Sequence, residues 1–133
     1  MSMILDPRQP IYLQIMQELK KRTVRGQYPP GGQLPSVREL AGEIGVNPNT
    51  IARVYLELER EGFIFTRRGQ GSYVTSDIAR IDRERELLAE EARERFLGEI
   101  TGLSLTEEHL KTLMDEIRSA LTDPRHTDTS HST

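Results

Sequence analysis

GVNPNTIARVY, residues 45–55, decides how the chain is read. Asn47, Pro48, Asn49 and Thr50 are poor residues for a helix interior. Yet Ile51, Val54, Tyr55 and Leu58 follow at three- and four-residue spacing, the period of a helix with one buried face. Gly45 suits the left-handed end of a preceding helix. Asn47 suits the cap of the next one and Pro48 its first position. The pattern predicts a helix from 47 to about 61, closed by Gly62. At about 100° per residue, Asn49 and Arg53 lie near the side opposite the apolar stripe, with Thr50 on its flank. Leu56 also falls outward.

Those outward residue types can read DNA. Asn binds adenine bidentately, Arg binds guanine, and Thr donates to phosphate or touches a thymine methyl. The free amides at the helix start suit a phosphate. Capping alone accounts for Asn47 and Pro48, and Arg53 reads equally as a solvated helix arginine.

Upstream, Ser36 and Glu39 in SVRE form a capping box. Val37, Leu40, Ala41 and Ile44 then make a short apolar stripe ending at Gly45. Two helices joined by so short a turn are a helix-turn-helix, whose second member enters the major groove. Arg38 sits at the start of the first member. It reads either as a backbone clamp or as an ion-pair partner of Glu39 or Glu43. An earlier helix spans 10–25, with Ile11, Ile15, Met16 and Leu19 as its stripe and Pro10 at its first position. Lys20, Lys21, Arg22 and Arg25 lie toward its end, where the helix dipole favours cations. Pro29-Pro30-Gly31-Gly32 reads as a loop.

Downstream, Phe63–Thr66 and Ser72–Val74 read as two strands. Between them Arg67-Arg68-Gly69-Gln70-Gly71 is a tight basic turn. Arginines at a glycine tip just after a recognition helix match a wing laid along the DNA backbone or minor groove. After Thr75 the composition shifts. Residues 77–97 are rich in Arg and Glu, with Ile78, Ile81, Leu88, Ala92 and Phe96 as a seam that Arg85 interrupts. Gly98 and Gly102 flank an expected break. A last helix over 104–121 has Ser104 and Glu107 as a second capping box, and Leu110, Leu113, Met114, Ile117 and Leu121 as its stripe. Residues 123–133 carry no hydrophobic side chain and are expected to be disordered.

The charge divides along the same line. Residues 1–76 hold ten Lys and Arg against seven Asp and Glu, and residues 77–133 hold eight against fourteen. The net −3 of the 133 residues thus hides a basic half and an acidic half. The absence of cysteine excludes disulfides and thiolate metal sites. MSMILDPRQP lacks the cationic start and apolar run of a signal peptide, and no stretch is long enough to span a membrane, so a cytoplasmic location is expected. His109, His126 and His131 have no metal-ligand spacing, and the chain has no nucleophile motif or phosphate loop. Glu90, Glu91 and Glu94 read as a solvated helix face. Neither an enzyme nor a cofactor is expected.

Three stretches carry a family resemblance: PIYLQI, PPGGQLPSVRELAGEIGVNPNTIARVYLELEREGFI and RRGQGSYV. Residues 10–74 resemble the winged helix-turn-helix domain of GntR-type bacterial transcription regulators. The short helical remainder is similar to the YtrA-like branch, whose tail serves dimerisation. The resemblance implies a mainly α fold with a small β-hairpin: a winged helix-turn-helix domain over 1–76, then a two-helix dimerisation region over 77–122. It implies a repressor that binds double-stranded DNA at a palindromic operator as a homodimer, with transporter genes as expected targets and a small-molecule effector as an unidentified partner. It makes Arg38 a backbone contact, places Asn49, Thr50 and Arg53 in the recognition helix, and makes Gly69 the wing-tip glycine beside Arg67 and Arg68. Many relatives have arginine where this chain has Pro48, so their base preference does not transfer. The same fold also hosts RNA-binding and protein-interaction modules, which remain the alternative.

Overall fold

The apolar stripes of the first three helices meet in one core with the hairpin. The computed structural model describes residues 3–123. Its elements are helices α1 (Ile11–Val24), α2 (Val37–Ile44) and α3 (Pro48–Arg60), strands β1 (Ile64–Arg67) and β2 (Gly71–Val74), and helices α4 (Ile78–Thr101) and α5 (Glu107–Thr122). Helix α3 packs on α1, α2 and β1. Ile15 and Leu19 from α1, Leu40 from α2, and Ile51, Val54 and Leu58 from α3 are sealed from solvent together with Phe63 and Val74. Burying a side chain of this size contributes roughly 1.5–3 kcal/mol.

The helix ends are built as the residue types require. Ser36 Oγ accepts the Glu39 amide, and the Glu39 carboxylate accepts the Ser36 amide. Gly45 ends α2 at φ +86°, where a β-carbon would be strained. Asn47 caps α3, with Pro48 in its first turn. Pro10 differs from expectation: it is the cap residue of α1, at ψ 123°, and the helix begins at Ile11. The Gln14 side chain pins the preceding segment, accepting from the Asp6 amide and donating to the Asp6 carbonyl, each at 2.7 Å.

Strands β1 and β2 pair antiparallel, with Ile64 opposite Val74 and Arg67 opposite Gly71. The expected strand ends shift by one residue. The loop before α2 is more than a connector. The Leu34 amide donates to Ser72 O at 2.8 Å, the Val74 amide donates to Gly32 O at 2.9 Å, and Gln33 bridges Tyr73. The hairpin thereby gains a short third edge. Glycine and proline masked this in the sequence, because they signal turns whatever the flanking backbone pairs with.

Arg22 lies in the last turn of α1, as expected, but it is buried. It donates to Glu18, Glu43 and Tyr28 at 2.9, 2.8 and 3.1 Å. Burial opposes its charge, but these hydrogen bonds outweigh that and hold its pKa above the usual value.

Two compact units meet in sequence between Arg85 and Glu86. The first includes the opening turns of α4, beyond residue 76. Ile81 and Glu84 are buried there. Lys20 pairs with Glu61 at 2.8 Å and Glu84 at 3.1 Å, and Arg80 pairs with Glu84 at 2.8 Å. Arg80 also lies 5.3 Å from the Phe63 ring centre. In the second unit, α4 runs unbroken through Gly98 to Thr101, because the intrahelical ladder outweighs one glycine's modest helix penalty. The cap of α5 is Thr106, whose hydroxyl accepts the His109 amide, not Ser104. Ser104 has φ +50° and belongs to the turn. Glu107 and Glu108 fill the first turn, where the dipole favours anions. No residue of α5 is buried within the chain. The expected disordered tail, with His126 and His131, lies outside the described residues apart from Asp123.

Glu84 sets a pH dependence. Burial pushes its carboxyl pKa up, but hydrogen bonds from Arg80 and Lys20, with their charges, hold it below the usual carboxylate value. A depressed folded pKa stabilises the fold above the unfolded carboxylate range, and the gain is lost as pH falls through the folded value. Glu84→Gln is expected to lower the unfolding free energy by about 2 kcal/mol near neutrality. Urea titrations of wild type and variant should converge as the pH drops below about 4.

Candidate nucleic-acid interface

The division within NPNT is visible in the hydrogen bonds. Asn47 Oδ1 accepts the Asn49 amide at 2.8 Å, and Asn47 O accepts the Thr50 amide at 2.9 Å. The Asn47 side chain is therefore committed to the helix start. Asn49 is exposed, and its side chain makes no hydrogen bond among the described residues. Thr50 is half-buried on the flank and Arg53 is exposed. The opposite face holds Ile51, Val54, Tyr55 and Leu58 in the core. Leu56 is 48% exposed, and nothing in the fold calls for leucine there.

Asn49, Thr50 and Arg53 line one shallow cleft together with Pro10, Ile11 and Tyr12. The Arg53 guanidinium carbon stands 3.7 Å from the centre of the Tyr12 ring. The sequence did not reveal Tyr12 as part of this surface. Its spacing to Ile15, Met16 and Leu19 marks a core face, but no periodicity within α1 reports what α3 brings opposite it.

Arg38 is exposed in the first turn of α2 and makes no ion pair among the described residues. Glu39 is occupied by the capping box, whose hydrogen bonds from Ser36 lower its pKa, and Glu43 pairs with Arg22. The ion-pair reading of Arg38 therefore lacks its partners.

The two hairpin arginines have different surroundings. Phe65 and Tyr73 stack with ring centres 5.6 Å apart, and Arg67 lies 5.4 and 5.3 Å from those two rings. Arg68 is exposed at the tip, without an ion pair among the described residues. The Gln70 amide closes the turn onto Arg67 O at 2.9 Å, and Gly69 takes φ +77°. Gln33 donates to Gln70 O at 2.9 Å, tying the tip to the loop before α2. Gln33 is another residue of this surface that sequence spacing could not identify, since its partner lies 37 residues away. Strand β1 is held to α3 by Glu59, which accepts the Thr66 amide at 3.0 Å.

Uncommitted donors on a helix face and a basic hairpin tip suit an anionic polymer with readable edges. Among the described residues, no group of His, Asp and Glu is placed to hold a metal ion. None of the described helices is long and apolar enough to cross a membrane.

Comparison with known proteins gives the same picture. Residues 11–74 match the model for bacterial regulatory proteins of the gntR family. The chain is 45% identical over 101 residues to the uncharacterized HTH-type transcriptional regulator YhcF of Bacillus subtilis (strain 168), covering 76% of this chain and 84% of that protein. It is 52% identical over 75 residues to the HTH-type transcriptional repressor YtrA of the same bacterium, covering 55% of this chain and 58% of the repressor. The solved structure of a GntR family transcriptional regulator from Listeria monocytogenes matches with a TM-score of 0.74 at 38% identity, over 84% of this chain and 98% of that one.

The two asparagines should separate experimentally. Asn47→Ala is expected to cost about 1 kcal/mol of stability through the lost cap. Asn49→Ala, at an exposed position without a partner, should change stability by less than about 0.5 kcal/mol. Chemical denaturation of the two variants measures both; equal losses would mean that Asn49 also serves the fold.

Proposed function

The chain belongs to the gntR family of bacterial regulatory proteins, DNA-binding transcription regulators and not enzymes, and on that premise we propose that it is a cytoplasmic repressor binding a palindromic operator as a homodimer. The observation that carries the base-reading part is the outward set Asn49, Thr50 and Arg53, mounted at the N-terminal end of a helix whose other face is sealed in the core. In this reading Arg38 clamps the backbone. Arg67, Arg68 and Gly69 form the tip that lies along it. Pro48 removes an arginine contact that relatives often have, so the preferred site is this chain's own.

The dimer reading assigns residues 77–122 to self-association. Its support is the unburied apolar stripe of α5, where Leu110, Met114 and Leu121 are 39%, 63% and 72% exposed. A two-fold pairing of such stripes presents two recognition helices to half-sites roughly 34 Å apart or a multiple of that. The acidic balance of residues 77–133 keeps that region off the phosphates while the basic half faces them. Repression follows the YtrA relative, and control of a transporter operon follows the family resemblance. A small-molecule effector belongs to the same reading as a partner without an assigned site.

Binding to duplex DNA from upstream of the protein's own operon tests the reading. Arg53→Ala, with its fold intact by circular dichroism, should weaken binding by about tenfold or more; unchanged affinity removes Arg53 as a base contact. Arg68→Ala should flatten the slope of log affinity against log salt by roughly 0.9. For the dimer, light scattering should give twice the chain mass of 15.2 kDa. Met114→Glu should return the monomer value, and a wild-type monomer at micromolar concentration would exclude the self-association assignment.

A further inference from the structure

We propose that Tyr12 is a positioning residue for base recognition: its ring carries the Arg53 guanidinium on one face and leaves the in-plane N–H donors free for a base edge. The proposal rests on the reading of Arg53 as a DNA contact. The guanidinium carbon lies 3.7 Å from the ring centre, well inside the roughly 6 Å reach of a cation–π contact. Arg53 has no ion pair among the described residues, so no carboxylate competes for its charge or its fork.

That distinction is chemical. A carboxylate holding an arginine uses two of its in-plane donors and neutralises it. An aromatic ring touches only the face of the plane. The ring leaves the in-plane donors unengaged, and their fork geometry matches guanine O6 and N7. An arginine held this way before DNA arrives also loses less rotamer freedom on binding.

The ring's own position is fixed by the fold. Tyr12 is half-buried at the upper end of the stripe that continues through Ile15, Met16 and Leu19, all of which are in the core. Helix α1 packs directly on α3, so the ring and the guanidinium come from two elements locked to each other. The Gln14 clasp on Asp6 holds the same turn of α1. The competing account is that Tyr12 merely fills the edge of the core. Leucine and methionine fill space there too, but lack an aromatic face.

The test uses the full chain and a fluorescein-labelled duplex enriched by the wild-type protein from a random-sequence pool. Affinities and selected sequences are compared for wild type, Tyr12→Phe, Tyr12→Leu, Tyr12→Met, Arg53→Ala and the double variant Tyr12→Leu with Arg53→Ala. Tyr12→Met, with its flexible side chain, stands in where Tyr12→Leu fails to fold by circular dichroism. Tyr12→Phe should bind like wild type and select the same site. Tyr12→Leu and Tyr12→Met should bind about three- to tenfold more weakly. They should relax base preference at the position that Arg53→Ala relaxes, and Tyr12→Leu should add nothing once Arg53 is gone. If Arg53→Ala weakens binding while the leucine and methionine variants match wild type, the role of Tyr12 is overturned and that of Arg53 stands. If Arg53→Ala itself binds like wild type, both fall. An equal loss from Tyr12→Leu with and without Arg53 would mean that Tyr12 acts through packing or its own contact, which also overturns the proposal.

Discussion

Helix α3 has to bury one face completely while leaving the other uncommitted. Ile51, Val54 and Leu58 are sealed against α1, α2 and β1, which fixes the rotation of the helix about its axis. A one-residue shift, about 100°, would bring Asn49 and Arg53 toward the core and carry the apolar stripe toward solvent. The cost of burying such groups without partners makes that shift prohibitive. The outward surface of α3 is therefore set by what lies behind it, and the elements packed on α3 hold that rotation in place. The caps at Ser36 and Asn47 fix where the helices begin. Glu59 and Gln33 fix the hairpin relative to them.

Arginine serves this fold in three ways. Arg22 is buried among Glu18, Glu43 and Tyr28, and its charge is spent on holding α1 to α2. Arg53 and Arg67 rest on aromatic rings. Arg38 and Arg68 project from a helix start and a turn tip. The charge balance of the basic half counts all five alike. Only their neighbours distinguish a structural cation from one available to a phosphate or a base.

The same logic applies at the start of α4. Glu84 belongs to a run that reads as an Arg- and Glu-rich helix with an apolar seam. In the fold it is buried beside Lys20 and Arg80. The seam residue Ile81 was legible from its spacing; the burial of Glu84 was not, because its pairing with Lys20 joins residues 64 positions apart. Local competition has the same effect at α5, where Thr106 takes the cap that Ser104 matched by motif. Two hydroxyls two residues apart offer the same chemistry, and backbone conformation selects between them.

What the sequence determined by itself were the features that depend on neighbours along the chain. The helix periods, the capping box at Ser36, the left-handed glycine at Gly45, the Asn47-Pro48 start and the glycine-tipped hairpin all follow from interactions within a few residues. The family motif follows from their order. The tertiary structure alone decided the pairing of Gln33 and Leu34 with the hairpin, the burial of Arg22 and Glu84, and the placement of Tyr12 beneath Arg53. Each of these joins groups that are far apart in sequence. Periodicity gives a residue's direction within its own element, but the partner it meets depends on how two elements pack.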